Sequence, residues 1–282
     1  MTKVKEAALA EVTEMIEPKD LVPQPPADGL DFLQELAGVG MDYSQEELAL
    51  PFLKIVSGLD PILDDENVNA RKGDILNTVT NKVYKGKEGI TVIPCGYQRR
   101  WIEWEPRGKG SGAPVNIFAF ENEVPPTKRS EDDNREYLPN GNYVDETHQH
   151  FVLVVEPDGT YEMALIAMKS TQLKKSRKWN TMIRSRTIIG SNGVPFNSPV
   201  FGFHYRLATV EESNSKGSWH GWTFTVGERV SCTSTLKTAL EFHRSVKADQ
   251  VVVKHEEAES EATPKTVVAK AQKPVDDDDL PF

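Results

Sequence analysis

At 282 residues and 31.5 kDa, the chain is long enough for one large core or two modest ones, and 38% hydrophobic against 27% charged residues suits a globular body with solvated ends. No apolar run is long enough for a membrane-spanning helix, and the opening MTKVKEAALAEVTEMIEP mixes Lys and Glu where a signal peptide would be apolar, so a cytoplasmic protein is expected. The net charge of −10 argues at first against a nucleic-acid binder, because affinity for phosphate comes from Lys and Arg.

Residues 1–50 hold eleven acids and three bases, and residues 255–282 eight acids and three bases, which leaves the middle at a net +3. Within it, residues 163–210 contain no Asp or Glu against eight cations: Lys169, Lys174, Lys175, Arg177, Lys178, Arg184, Arg186 and Arg206. A basic body between acidic ends is the sign asymmetry of a polyanion binder with acidic tails.

In chain order, residues 1–43 are acidic, Pro-rich and without periodicity, and are expected to be largely disordered. Ser44 and Glu47 have capping-box spacing ahead of LALPFLKIV, which predicts a helix that Pro51 must start or end. From Asp74 to about Val230, short alternating or apolar runs separated by Gly, Pro, Asn and Asp predict antiparallel strands: GITVIPCGYQRRWIEW, VNIFAF, HFVLVVEPDGTYEMALIAM, VFGFHYRLATV and SWHGWTFTVGERV. Pro157, Asp158 and Gly159 form a hairpin turn in the third. Residues 121–147 are polar and turn-rich, which predicts a long mobile excursion. Helical spacing predicts a helix over 169–187, with Trp179, Met182 and Ile183 on one arc and Lys174, Arg177, Lys178 and Arg184 on another, and a second helix over 234–247. The expected class is mainly β (α+β), a partly closed barrel that hides strand edges, with a few helices. The body spans 44–250, a low-complexity linker 251–275, and an acidic tip 276–282.

Chemistry-bearing motifs are sparse. Cys95 and Cys232 lie too far apart for a zinc motif, and both read as buried thiols. His148 and His150 share a strand face but lack further ligands nearby, so a solvent-facing pair is expected rather than a metal site. DPILDDENVNARKGD lacks calcium-loop spacing, GKGSGAP lacks the context of a phosphate loop, and no nucleophile elbow or zinc-protease motif is present. No enzyme activity and no cofactor are expected.

Aromatic residues interleaved with bases carry the binding argument. Alternation puts Tyr97, Arg99 and Trp101 on one face of YQRRWIEW and Arg100 on the other, and puts Phe201, Phe203 and Tyr205 together on one face of VFGFHYRLA. Flat rings stack bases and cations track phosphates in single-strand binders. The expected stacking residues are drawn from Tyr97, Trp101, Trp179, Phe201, Phe203 and Tyr205. Arg99, Arg100, Lys174, Lys175, Arg177, Lys178, Arg184 and Arg186 are the expected phosphate contacts. Trp101 and Trp179 stand out because each has cations as chain neighbours.

The chain ends in Asp276, Asp277, Asp278, Asp279, Leu280, Pro281 and Phe282, which joins a charge run to an aromatic anchor with a free carboxylate. This ending resembles the acidic tip of bacterial and bacteriophage single-stranded-DNA-binding proteins, and the acidic N-terminal extension and short linker look more like a phage-type member. The resemblance implies a protein that coats single-stranded DNA in replication, recombination and repair through an oligonucleotide-binding (OB-fold-like) barrel, in the host cytoplasm if phage-encoded. It also implies that the tip recruits replication or recombination enzymes, with Asp276 to Asp279 steering and Leu280, Pro281 and Phe282 anchoring. Homo-oligomerisation is left open. The alternatives are a strand-annealing recombination protein and an adaptor that docks on a replication enzyme without binding DNA.

Overall fold

The computed structural model describes residues 39–40, 49–106, 108–109, 112–214, 217–248, 251 and 253. The chain divides into two compact units, Met1–Ser44 and Gln45–Phe282. The expectations for Ser44 and Glu47, for residues 1–38 and for the tip Asp276–Phe282 fall outside the described residues.

The body is mainly β, built on one strongly curled eight-stranded antiparallel sheet. Its spine is the pairing of β4 (Ile90–Trp104) with β8 (Tyr143–Val155), which stays in register except for a bulge between Pro94 and Gly96. A bulge increases local twist and bends its strand, which helps the sheet to curl. β8 turns through the expected Pro157–Gly159 hairpin into β9 (Tyr161–Lys169), with Glu156 N donating to Thr160 O at 2.9 Å. On the other side β4 pairs with β12 (Phe203–Asn214), which pairs in turn with β13 (Gly217–Arg229). β5 (Asn116–Phe118) joins the far end of β4, and β6 (Lys128–Arg129) and β7 (Glu136–Tyr137) extend from the start of β8.

The segment after Pro51 is a strand where a helix was expected. β1 (Leu53–Ile55), β2 (Ile75–Asn77) and β3 (Val83–Tyr84) form a small antiparallel sheet. Leu165 N donates to Pro51 O at 2.9 Å and Thr209 N donates to Gly86 O at 2.8 Å, so the small sheet reaches from β9 on one side of the curl to β12 on the other. Pairing with neighbouring strand edges outweighs the capping-box signal ahead of LALPFLKIV, because every buried backbone group must be paired. The excursion at 121–147 also ends earlier than expected, since residues 143–147 belong to β8.

Two clusters fill the two faces of the sheet. The concave side buries Leu53, Ile75, Val92, Val152, Ile166, Tyr205, Leu207 and Trp222 around Trp179. That tryptophan comes from α1 (Leu173–Arg184), which packs on this side against β8, β9 and β13. The convex side buries Ile93, Cys95, Phe151, Leu153 and Leu165 beneath Ala239, Phe242 and Val246 of α2 (Thr233–Lys247). Strand alternation explains the split, since Val92 and Ile93 are neighbours that point to opposite faces. Gly96 permits the close approach of α2: a Cβ there would sit 2.8 Å from Val246 Cγ1. Cys95 is buried as expected, whereas Cys232 is exposed ahead of α2. No helix among the described residues is long and apolar enough to cross a membrane.

Candidate nucleic-acid interface

The region around α1 gathers most of the residues that the sequence singles out, and it separates them into two groups. Ser176 and Trp179 are buried against the curled sheet, while Lys174, Arg177, Lys178 and Arg184 are exposed on the opposite arc, as the helical spacing requires. Lys174, Lys178 and Arg184 have no carboxylate partner among the described residues. Arg177 lies 3.6 Å from Glu146, and Lys175 is held at 2.6 Å by Glu212 of β12.

The inner arc corrects the reading of Trp179. It is 0% exposed, stacked between His150 at 4.6 Å and Phe224 at 4.8 Å, and therefore offers no face to a base. Tyr205 is likewise buried, at 1% exposure, and Phe203 packs against the same cluster. Phe201 does not share their face. It sits in the turn closed by Gly202 N donating to Pro199 O and packs on the convex side, 6.0 Å from His243 of α2. β12 starts two residues later, at Phe203, so strand alternation does not extend to Phe201.

His148 and His150 share a face as expected, but they are buried rather than solvent-facing. Ser176 Oγ lies 2.7 Å from His148 Nδ1 and 2.7 Å from His150 Nε2, and His148 Nε2 lies 2.9 Å from Glu146 Oε1. One hydroxyl has a single proton to donate. With Glu146 ionised and both rings neutral, the chain has one consistent direction: His150 donates to Ser176, Ser176 to His148, and His148 to Glu146. Burial pushes His150 down to about 3 and also lowers His148, so both are neutral near pH 7. Burial alone would raise Glu146, but hydrogen bonds from His148 and Arg99 outweigh it and hold the carboxyl below the usual range. Although a Ser, His and carboxylate are in line, Ser176 is 0% exposed, so its hydroxyl ties the helix to the sheet and has no open approach for a substrate. Gln172, just before α1, adds a second tie. Its side chain donates to His220 O at 3.4 Å and accepts from Trp222 N at 3.3 Å, standing in for a missing strand partner at the edge of β13.

Tyr97 remains at the surface, 40% exposed, with its ring against His148 at 5.4 Å and His150 at 5.1 Å and its hydroxyl reaching the Asn180 side chain of α1. It is a rigidly backed ring beside the outer arc of the helix. Arg99 and Trp101 share its face, as alternation requires. Arg99 lies over the half-buried Trp101 ring at 4.3 Å, and its charge is met by Glu146 at 2.7 Å and Glu121 at 3.6 Å. Arg100 faces the other side of the sheet, with its guanidinium donating to Arg99 O at 3.2 Å. Arg186 is half-buried and donates to Met182 O at 3.2 Å, where it satisfies the end of α1.

One element was not anticipated. A separate hairpin of β10 (Thr187–Ile189) and β11 (Pro195–Asn197) follows α1 directly, although the run TIIGSNGVPFN carries a Ser-Asn-Gly turn between two apolar triplets that could have marked it. Among the described residues, no group of three or more His, Cys, Asp or Glu could hold a metal ion.

No curated protein and no solved structure matches the chain. A family model described as Pam3 phage gp34-like protein matches residues 26–252, which is more than half of the chain, and the protein therefore belongs to the Pam3 phage gp34-like family.

Proposed function

We propose that the protein binds single-stranded DNA along the outer arc of α1, beside Tyr97, and recruits replication or recombination enzymes through the tip Asp276–Phe282. One observation carries the reading: Lys174, Lys178 and Arg184 stand on one exposed helix face, in a stretch free of acids from 163 to 210, without carboxylate partners among the described residues. Like charges arranged this way repel one another unless a polyanion neutralises them. Tyr97 supplies the most exposed ring of the expected set, and bases stack on such rings with little regard to sequence. The curled sheet, with a helix packed on its concave side, supports an oligonucleotide-binding type of barrel, and the phage family agrees with the phage-type resemblance of the tip. The tip lies outside the described residues, so its role rests on its sequence.

The test is a titration of labelled oligo(dT) with the full chain and with a chain lacking residues 276–282, at several salt concentrations. Binding that weakens steeply with salt is expected for both, with equal or higher affinity in the truncated chain, because the aspartates are a tethered competitor for the same cations. Absent or salt-insensitive binding by both would overturn the DNA reading and leave the adaptor alternative.

A further inference from the structure

The β10–β11 hairpin carries apolar side chains that the core does not use. Ile189 is 71% exposed, Val194 57% and Phe196 48%. Register pairs Ile188 with Phe196 and Ile189 with Pro195, so adjacent positions put apolar groups on both faces of a two-stranded ribbon. The hairpin forms its own sheet rather than extending the large one. Its geometry is nevertheless well defined: Gly190 N donates to Val194 O and Gly193 N to Gly190 O, both at 2.9 Å, and Ser198 N donates to Arg186 O at 2.9 Å at the root. A lone hairpin gains little stability from exposed apolar groups, so their use is sought in a partner.

We infer that this hairpin is a second stacking arm for single-stranded nucleic acid, with Phe196 receiving a base and Arg184 at its root meeting a phosphate. The inference rests on the DNA-binding reading above and extends the site beyond the helix. Charge complementarity selects the occupant. The hairpin lies wholly within the acid-free stretch and follows the end of α1, where Arg184 is exposed and without a carboxylate partner among the described residues. A second copy docking through this same patch would bring two cationic hairpin roots into one interface, which opposes that alternative. The arc from Arg177 to Arg184 covers about 10 Å of helix at about 1.5 Å per residue, and the hairpin follows directly after it in the chain.

The experiment measures oligo(dT) affinity of the full chain across a salt series for the wild type, Phe196→Ala, Phe196→Tyr and Arg184→Ala, with analytical ultracentrifugation of each. Phe196→Ala is expected to weaken binding about tenfold, the loss of roughly one stacked base, with an unchanged salt slope and thermal midpoint. Phe196→Tyr keeps the ring and the affinity. Arg184→Ala lowers the salt slope by about 0.7, one phosphate contact. Wild-type binding combined with an indifferent Phe196→Ala overturns the arm alone, whereas no wild-type binding overturns the underlying reading. A change of oligomeric mass in Phe196→Ala with unaltered DNA affinity assigns the hairpin to a second copy and also overturns the inference.

Discussion

The two helices of the body cover opposite faces of the same curled sheet by different means. α2 buries Ala239, Phe242 and Val246 against an aliphatic and aromatic surface, with Phe242 6.3 Å from Phe151, and its exposed face mixes Lys237, Glu241 and Arg244. α1 buries one large residue, Trp179, and one hydroxyl, Ser176, while its exposed arc is cationic and acid-free. Ordinary burial is enough to explain α2. On the outer arc of α1, Lys174, Lys178 and Arg184 have an electrostatic cost that no carboxylate among the described residues offsets, and that contrast separates the helix read as structural from the one read as functional.

The largest expected effect tests whether α1 belongs to the core as firmly as α2 does. Trp179→Ala should cost about 3–5 kcal/mol in denaturant unfolding, because it opens a cavity at the centre of the concave cluster and removes three ring contacts. Phe242→Ala should fall in the same range. If Trp179→Ala proved much milder than Phe242→Ala, α1 would be a peripheral helix and the rigid backing of Tyr97 would fail with it.

The next effect should separate the outer arcs. Replacing Lys174, Lys178 and Arg184 together by Ala is expected to reduce the salt slope of oligo(dT) binding by about 2, at about 0.7 per phosphate contact, with little change in thermal midpoint. The same treatment of Lys237 and Arg244 on α2 should leave the slope unchanged. Equal effects from both helices would remove the distinction.

The smallest effect concerns the polar network beneath α1. His150 is held neutral in the folded chain, down to about 3 from an ordinary 6.5, whereas the unfolded chain takes up its proton near 6.5. The folded state therefore binds fewer protons between these values, and stability falls as the pH drops from about 6.5 toward 3, by at most about 1.4 kcal/mol per pH unit for this group. Urea midpoints at pH 6.5, 5.5 and 4.5 should fall more steeply in the wild type than in His150→Gln, which can keep a hydrogen bond to Ser176. Parallel falls would show that the buried imidazole does not set the acid sensitivity.

Local pattern made the long strands of the large sheet, the hairpin at Pro157–Gly159 and both helices legible, because period-two and period-3.6 apolar spacing survive in any packing arrangement, whereas β1 and the β10–β11 hairpin escaped it. The misreading of Trp179 has a simple cause. On a helix, residues one apart point about 100° away from each other, so Trp179 turns away from the arc that Arg177 and Lys178 share although the three are neighbours in the chain. His148 and His150 were correctly placed together on a strand, but their burial depends on α1 crossing the sheet and delivering Ser176 between them. Phe201 could not be separated from Phe203 without knowing where the strand begins.

The sequence by itself determined the charge layout, since acids and bases are counted without a fold, and with it the acid-free stretch from which the binding proposal starts. It also determined that one arc of α1 is cationic. Only the tertiary structure decided which aromatic residues are available to a ligand. Burial depends on contacts between segments far apart in the chain, and these put Trp179 and Tyr205 inside while leaving Tyr97 and the unanticipated Phe196 at the surface.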